Sequence, residues 1–137
     1  MAFETELMVV GRLLLGGYFA FTGLNHFMKD EQMSGWIQSK GLPAADTLNY
    51  LAAGLLLVSG LGVVLGTYPV VAWGALSLFT LAASFLFHDF WNMEGEEKQN
   101  HMNNFTKNMA LLGGLMLFAA MTTQGNIGPV AAELTLL

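Results

Sequence analysis

The side chains able to do chemistry in this chain fall into four short groups: Asn25 with His26, Asp46 with Asn49, His88 with Asp89, and Asn104 with Lys107 and Asn108. Imidazole donates and accepts hydrogen bonds and exchanges protons near neutral pH. A carboxylate can orient it, and an ammonium can balance negative charge developing on an oxygen. His26 and His88 would then hydrogen-bond a carbonyl, with Asp89 orienting a histidine and Lys107 balancing charge. Asn25, Asn49 and Asn108 would line the same site. Such a set suits the polar head of a quinone or a similar amphiphile, for which Tyr50, Phe85, Phe87 and Trp91 would supply an apolar wall.

Two other readings compete. His26, His88 and His101 share their end of the chain's helices with Met28, Met33, Met93 and Met102, and imidazoles with thioethers suit Cu(I). No HxxxH or HxxE spacing supports that, so no metal ligands are assigned. The third reading makes Asp46, Asp89 and Asn104 ordinary polar ends of helices. The chain has no cysteine, no glycine-rich phosphate loop and no triad pattern, so it carries no self-contained catalytic apparatus and performs no thiol step.

The elements that must position these groups are membrane spans. Of the 137 residues 54% are apolar and only 11% charged, where a soluble domain has about a quarter charged. About 20 apolar residues cross a ~30 Å hydrocarbon core. Spans are expected over residues 7–27, 44–66, 70–87 and 105–121, within one integral membrane domain covering 1–137. Glu4 and Glu6 replace the basic start of a signal peptide, so the first span is read as retained.

Between the first two spans, Met33, Trp36 and Ile37 recur at helical spacing among charges, which predicts a short helix lying in the interface. Gly41-Leu42-Pro43 breaks the chain, with Pro43 suited to the first turn of the second span. Gly62 and Gly66 form a GxxxG pair, with Gly54 and Gly60 as further small surfaces for packing. Thr67-Tyr68-Pro69 allows only a hairpin, so the second and third spans are antiparallel neighbours. Residues 89–103 are read as a loop and 122–137 as a loose or surface-lying tail.

Helical spacing puts Ser77, Leu81, Ser84 and His88 on one stripe and Asn104, Lys107, Asn108 and Leu111 on another. Tyr18, Thr22 and Asn25 form a third stripe, facing the bundle interior. Four spans bring all four polar groups to the side of the two longer loops. Ionisable groups near spans are costly unless paired or facing a wet cavity, so their convergence points to function. Lys29, Lys40, Lys98 and Lys107 lie on that side, which the positive-inside bias assigns to the cytoplasm. Arg12, at the other end, would snorkel or pair with Glu4 or Glu6. With a formal charge of −5 and no basic face, nucleic acid is not an expected partner.

Gly11-Arg12-Leu-Leu-Leu-Gly16, Gly23-Leu-Asn-His26, Gly41-Leu-Pro43, Phe87-His-Asp-Phe-Trp91 and Asn104-Phe-Thr-Lys-Asn108 with Ala110-Leu-Leu-Gly-Gly-Leu115 resemble the DoxX family of small four-helix membrane proteins. The resemblance covers roughly Leu7 to Met121, and its last two blocks are its specific part. It implies an all-α four-span bundle in the bacterial inner membrane. For some members it also implies a link to thiosulfate:quinone oxidoreductase and to redox-stress complexes. The expected function is a membrane subunit that binds a quinone-like amphiphile and supports an oxidoreductase complex. Its partners would be the lipid bilayer, a soluble redox protein and other copies of itself. A non-catalytic scaffold or lipid-interacting protein is the alternative. A channel or carrier ranks third, since no span carries a charge pair midway.

Overall fold

The computed structural model describes residues 2–125. The chain is all-α: α1 (Ala2–Met28), α2 (Asp30–Ser39), α3 (Ala45–Leu65), α4 (Pro69–Phe87) and α5 (Gly95–Thr123), with a single 3-10 turn at Phe90–Asn92. Among the described residues four helices, all but α2, are long and apolar enough to cross a membrane. At 21 residues α3 is about 31 Å long, close to the ~30 Å hydrocarbon thickness. Their outward faces are apolar: Leu14, Leu78 and Leu117 are 71%, 73% and 71% exposed, which suits lipid and not water.

Local signals explain most boundaries. Lys29 alone separates α1 from α2, and Asp30 and Glu31 in the first turn of α2 complement its helix dipole. The short helix expected in the interface is this one; it buries Ser34 and Ile37 against the bundle. Pro43 stands outside α3, because Ala44 adopts a left-handed φ of 51° and the helix starts only at Ala45. Gly66, with φ 69°, ends α3, and the Thr67 N–H donates to the Gly62 carbonyl at 3.1 Å. Pro69 then opens α4 at its first position, where a missing N–H costs nothing. The hairpin follows as expected.

The last helix departs from expectation. It begins at Gly95 and not near Phe105, so most of the expected loop is helical. Glu96 and Glu97 suit a helix N-terminus, Lys98 and Gln99 are good helix formers, and Gln99 donates to Asn103 one turn on at 2.9 Å. Thr122 and Thr123 belong to α5. Gln124 caps that helix and Gly125 follows in a turn, while 126–137 of the expected tail lie outside the described residues.

Packing is lopsided. The antiparallel pair α1 and α3 makes the most extensive contact in the bundle. A Cβ added to Gly16 would sit 2.5 Å from the Gly60 carbonyl oxygen, and one on Gly60 would sit 2.5 Å from the Ala20 nitrogen. At Gly23 it would come within 2.6 Å of the Leu57 nitrogen. Backbone therefore lies on backbone along this seam. Of the glycines expected to pack, Gly60 does so here and Gly62 faces Ala72 of α4, whereas Gly54 meets nothing within 4 Å. Phe19, Leu56, Val63, Leu76, Leu115 and Phe118 join all four long helices in one core. By contrast α1 and α5 touch little; Leu15 beside Gly114 is a local point of approach.

This seam makes a stability prediction. Gly60→Ala should destabilise the protein by about 1–3 kcal/mol or more, because no side chain can move aside for the new methyl. Gly54→Ala should be neutral or stabilise by up to about 1 kcal/mol, as alanine is the better helix former. Unfolding of both variants in detergent, followed by circular dichroism, measures the difference.

Candidate functional site

On the side of α2, three helices meet at one amide. Asn49, near the start of α3, is fully buried at 0% exposure, so all its hydrogen-bonding capacity must be met by protein. Its Oδ1 accepts from His26 Nδ1 at 2.8 Å, while its Nδ2 donates to the His26 carbonyl at 3.1 Å and to Asp30 Oδ1 at 2.9 Å. Tyr50 donates its hydroxyl to Asp30 Oδ2 at 2.7 Å. The Tyr50 hydrogen bond first, then that of Asn49, holds the Asp30 carboxyl below its usual 3.8. Asn49 thereby closes the end of α1 and fixes the start of α2.

Beside this hub lies a cavity of about 300 Å³. Its walls are largely apolar: Phe19 and Tyr18 from α1, Met33, Trp36 and Ile37 from α2, Leu56 from α3, and Phe79 and Phe87 from α4. Polar groups reach it from α1 (Thr22, His26), from α4 and its end (Thr80, His88) and from α5 (Asn104, Lys107, Asn108). Asn108 Nδ2 donates to Ser84 Oγ at 3.1 Å, and Ser84 in turn donates to the Thr80 carbonyl at 2.6 Å, tying α5 to α4. Lys107 Nζ donates to Asn104 Oδ1 at 3.0 Å and stands 5.7 Å from the centre of the Tyr18 ring, within cation–π range.

Thr80 is different. Thr22, Thr106 and Thr122 each donate to a carbonyl one turn back, at 2.8, 3.0 and 2.7 Å. The Thr80 hydroxyl is buried without a hydrogen-bond partner, at a residue that borders the cavity. An unmade hydrogen bond on a buried hydroxyl costs about 1–3 kcal/mol.

Of the seven candidate residues, the cavity gathers His26, His88, Lys107 and Asn108. Asn49 stands behind it, bonded to His26. Asn25 is not in its lining; its carbonyl accepts the Lys29 N–H at 2.9 Å. Asp89 does not orient a histidine: Oδ1 pairs with Lys40 Nζ at 2.7 Å, and Oδ2 accepts from Asn92 at 3.1 Å. The partner of His88 is His101, Nδ1 to Nδ1 at 3.1 Å. His26 also changes role, since a neutral ring whose Nδ1–H goes to Asn49 presents only an acceptor at Nε2.

The aromatic wall differs too. Phe87 lines the cavity, but Phe85 and Trp91 pack with Phe90 and Phe105 elsewhere, and Tyr50 serves Asp30. Leu81 is exposed, so the polar stripe of α4 runs through Thr80 and Ser84. The helical spacing Leu76, Thr80, Ser84 was the available signal for Thr80. Trp36, expected on a helix lying in the interface, contacts His88 and Phe87 at ring-centre distances of 5.5 and 5.2 Å, which brings it into the site. Among the described residues no three His, Cys, Asp or Glu side chains group to hold a metal ion.

The hub predicts acid sensitivity. A carboxyl with a lowered folded-state value contributes stability above its unfolded value, near pH 3.8, and loses it as pH falls through the folded one. Asn49→Ala should destabilise the protein at neutral pH by about 1–3 kcal/mol, by leaving buried polar groups unmet. Tyr50→Phe should bring acid unfolding on at a higher pH. Circular dichroism in detergent across pH 2–7 checks both.

The match to a known family runs over more than half of the chain. The DoxX family model covers residues 7–89, from the first span through the His88-Asp89 pair. It ends before the Asn104–Asn108 block, which therefore adds nothing to the match. No curated protein and no solved structure matches the chain significantly. Four apolar helices of spanning length and the matched segment together make this chain an integral membrane protein belonging to the DoxX family.

Proposed function

We propose that the cavity takes the polar head of a quinone-like amphiphile, and that the protein is a membrane subunit supporting a quinone-linked oxidoreductase. The observation that carries this reading is an apolar-walled cavity that polar side chains reach from α1, α4 and α5, His26, His88, Lys107 and Asn108 among them. Its volume, about 300 Å³, is at the small end of ligand sites and fits a ring with the start of its tail. The loosely packed seam between α1 and α5 offers the rest of the tail a way to lipid.

Each polar group has a chemical use there. Lys107 supplies positive charge and His88 a hydrogen bond to a carbonyl oxygen, and the ammonium favours the oxygen more as it gains negative charge. His26, an acceptor at Nε2, suits a hydroxyl, the form that the same oxygen takes once reduced and protonated. Electrons would be exchanged with a soluble partner at the exposed face formed by Glu94–Asn100, in a bacterial cytoplasmic membrane. The link of some resembling proteins to thiosulfate:quinone oxidoreductase points the same way.

A non-catalytic scaffold is the second reading. The closed Asn49 hub and the Lys40–Asp89 pair favour it, because both serve helix ends.

Native mass spectrometry of protein taken from its own membrane distinguishes the two. The expected result is a quinone at near one per chain, with affinity reduced about 10–100-fold in the His88→Leu, Lys107→Leu double variant. Recovery of phospholipid alone, from folded protein that also fails to bind added quinone, would establish the scaffold. Thr80→Val should raise the stability of the protein, because it removes a buried hydroxyl that has no hydrogen-bond partner.

A further inference from the structure

Three rings from three elements meet at one edge of the cavity. Trp36 of α2 contacts both His88, at the end of α4, and His101 of α5, with ring centres 5.5 and 5.9 Å away. The two imidazoles lie 5.2 Å apart with Nδ1 facing Nδ1 at 3.1 Å. His88 lines the cavity and His101 does not. His101 instead follows Glu94–Asn100, a run exposed throughout. The charged groups around the pair are Lys40 at the end of α2, Asp89 beside His88, and Lys107 on α5.

A hydrogen bond between two Nδ1 atoms needs one proton and one lone pair. In a neutral pair the rings must therefore be opposite tautomers. From this geometry we infer that His101 and His88 form a proton relay between water on the loop side and the oxygen of a ligand in the cavity. The inference rests on the amphiphile reading of that cavity.

The step balances as follows. A separate two-electron reductant converts the bound quinone to its dianion; the relay moves only a proton, to the oxygen beside His88, and the other oxygen takes its proton from water. The His88 Nε2–H bond breaks as the ligand O–H bond forms. His88 Nδ1 takes the proton from His101 Nδ1, and His101 Nε2 takes one from water. One proton has passed from solvent to ligand, and both rings end neutral with their tautomers exchanged. Trp36 holds the two rings together, so it acts as a positioning residue.

The experiment uses the full chain in nanodiscs with decylubiquinone as the probe and dithionite as the reductant. His101→Phe should bind decylubiquinone within about twofold of wild type, since His101 lies outside the cavity lining. Quinol formation at neutral pH should slow by about tenfold or more, and added imidazole should restore part of the rate. Should His101→Phe not fold, His101→Gln serves in its place. Unchanged quinol formation with binding intact would overturn the relay and leave the amphiphile site standing. A wild-type protein that binds no decylubiquinone would overturn both. In the ligand-free protein, ring-nitrogen NMR should find His88 and His101 as opposite tautomers; two rings in the same tautomer would also overturn the relay.

Discussion

Everything in this bundle follows from how closely α1 lies on α3. Helices in lipid gain no hydrophobic drive toward each other, so their association depends on van der Waals contact and on polar groups. Gly16, Ala20 and Gly23 against Ala53, Leu57 and Gly60 let two backbones touch, which maximises that contact. Drawing α1 to one neighbour moves it from another. The seam toward α5 stays loosely filled, with an apolar groove of about 470 Å³ from Glu4 to Met121 and the polar-ended cavity beyond Leu15 and Gly114. The cavity is thus a by-product of tight packing along the α1–α3 seam beside it.

Much of this architecture was legible in the sequence, because spans announce themselves by length and composition. The interfacial helix was readable from Met33, Trp36 and Ile37, and the hairpin from Pro69. The start of α5 was not. A polar helix that leaves the bilayer carries no apolar period, and Glu96 to Gln99 resemble a charged loop until their helix propensity is weighed. Nor was the choice among glycines visible. Gly54 and Gly60 have the same type and similar neighbours, and only the relative rotation of α1 and α3 puts one on the seam and the other in open space.

The polar end was legible as a gathering but not as a circuit. Sequence spacing brings His26, His88, Lys107 and Asn108 to one depth, and the structure places them around one cavity. Pairing is another matter, since a side chain chooses its partner by angstroms. Asp89 stands next to His88 in the chain yet reaches Lys40, forty-nine residues away, because a tight turn after α4, closed by the Phe90 N–H on the His88 carbonyl, separates the two side chains. His101, which spacing offers only as a metal ligand, is hard to place for the same reason as the start of α5: only once residues 95–103 are helical does its ring come up beside His88.

The Asn49 hub has a consequence for biosynthesis. The His26 imidazole and carbonyl and the Asp30 carboxylate find this partner on a helix that leaves the ribosome later than they do. Until α3 has inserted, the end of the first span and the short helix after it lack the amide that joins them. The first half of the bundle therefore closes as a unit of three helices, and insertion of the second span is the event that sets the short helix in place. A chain cut before Asn49 would reach the bilayer with its first span complete and its surface helix undocked.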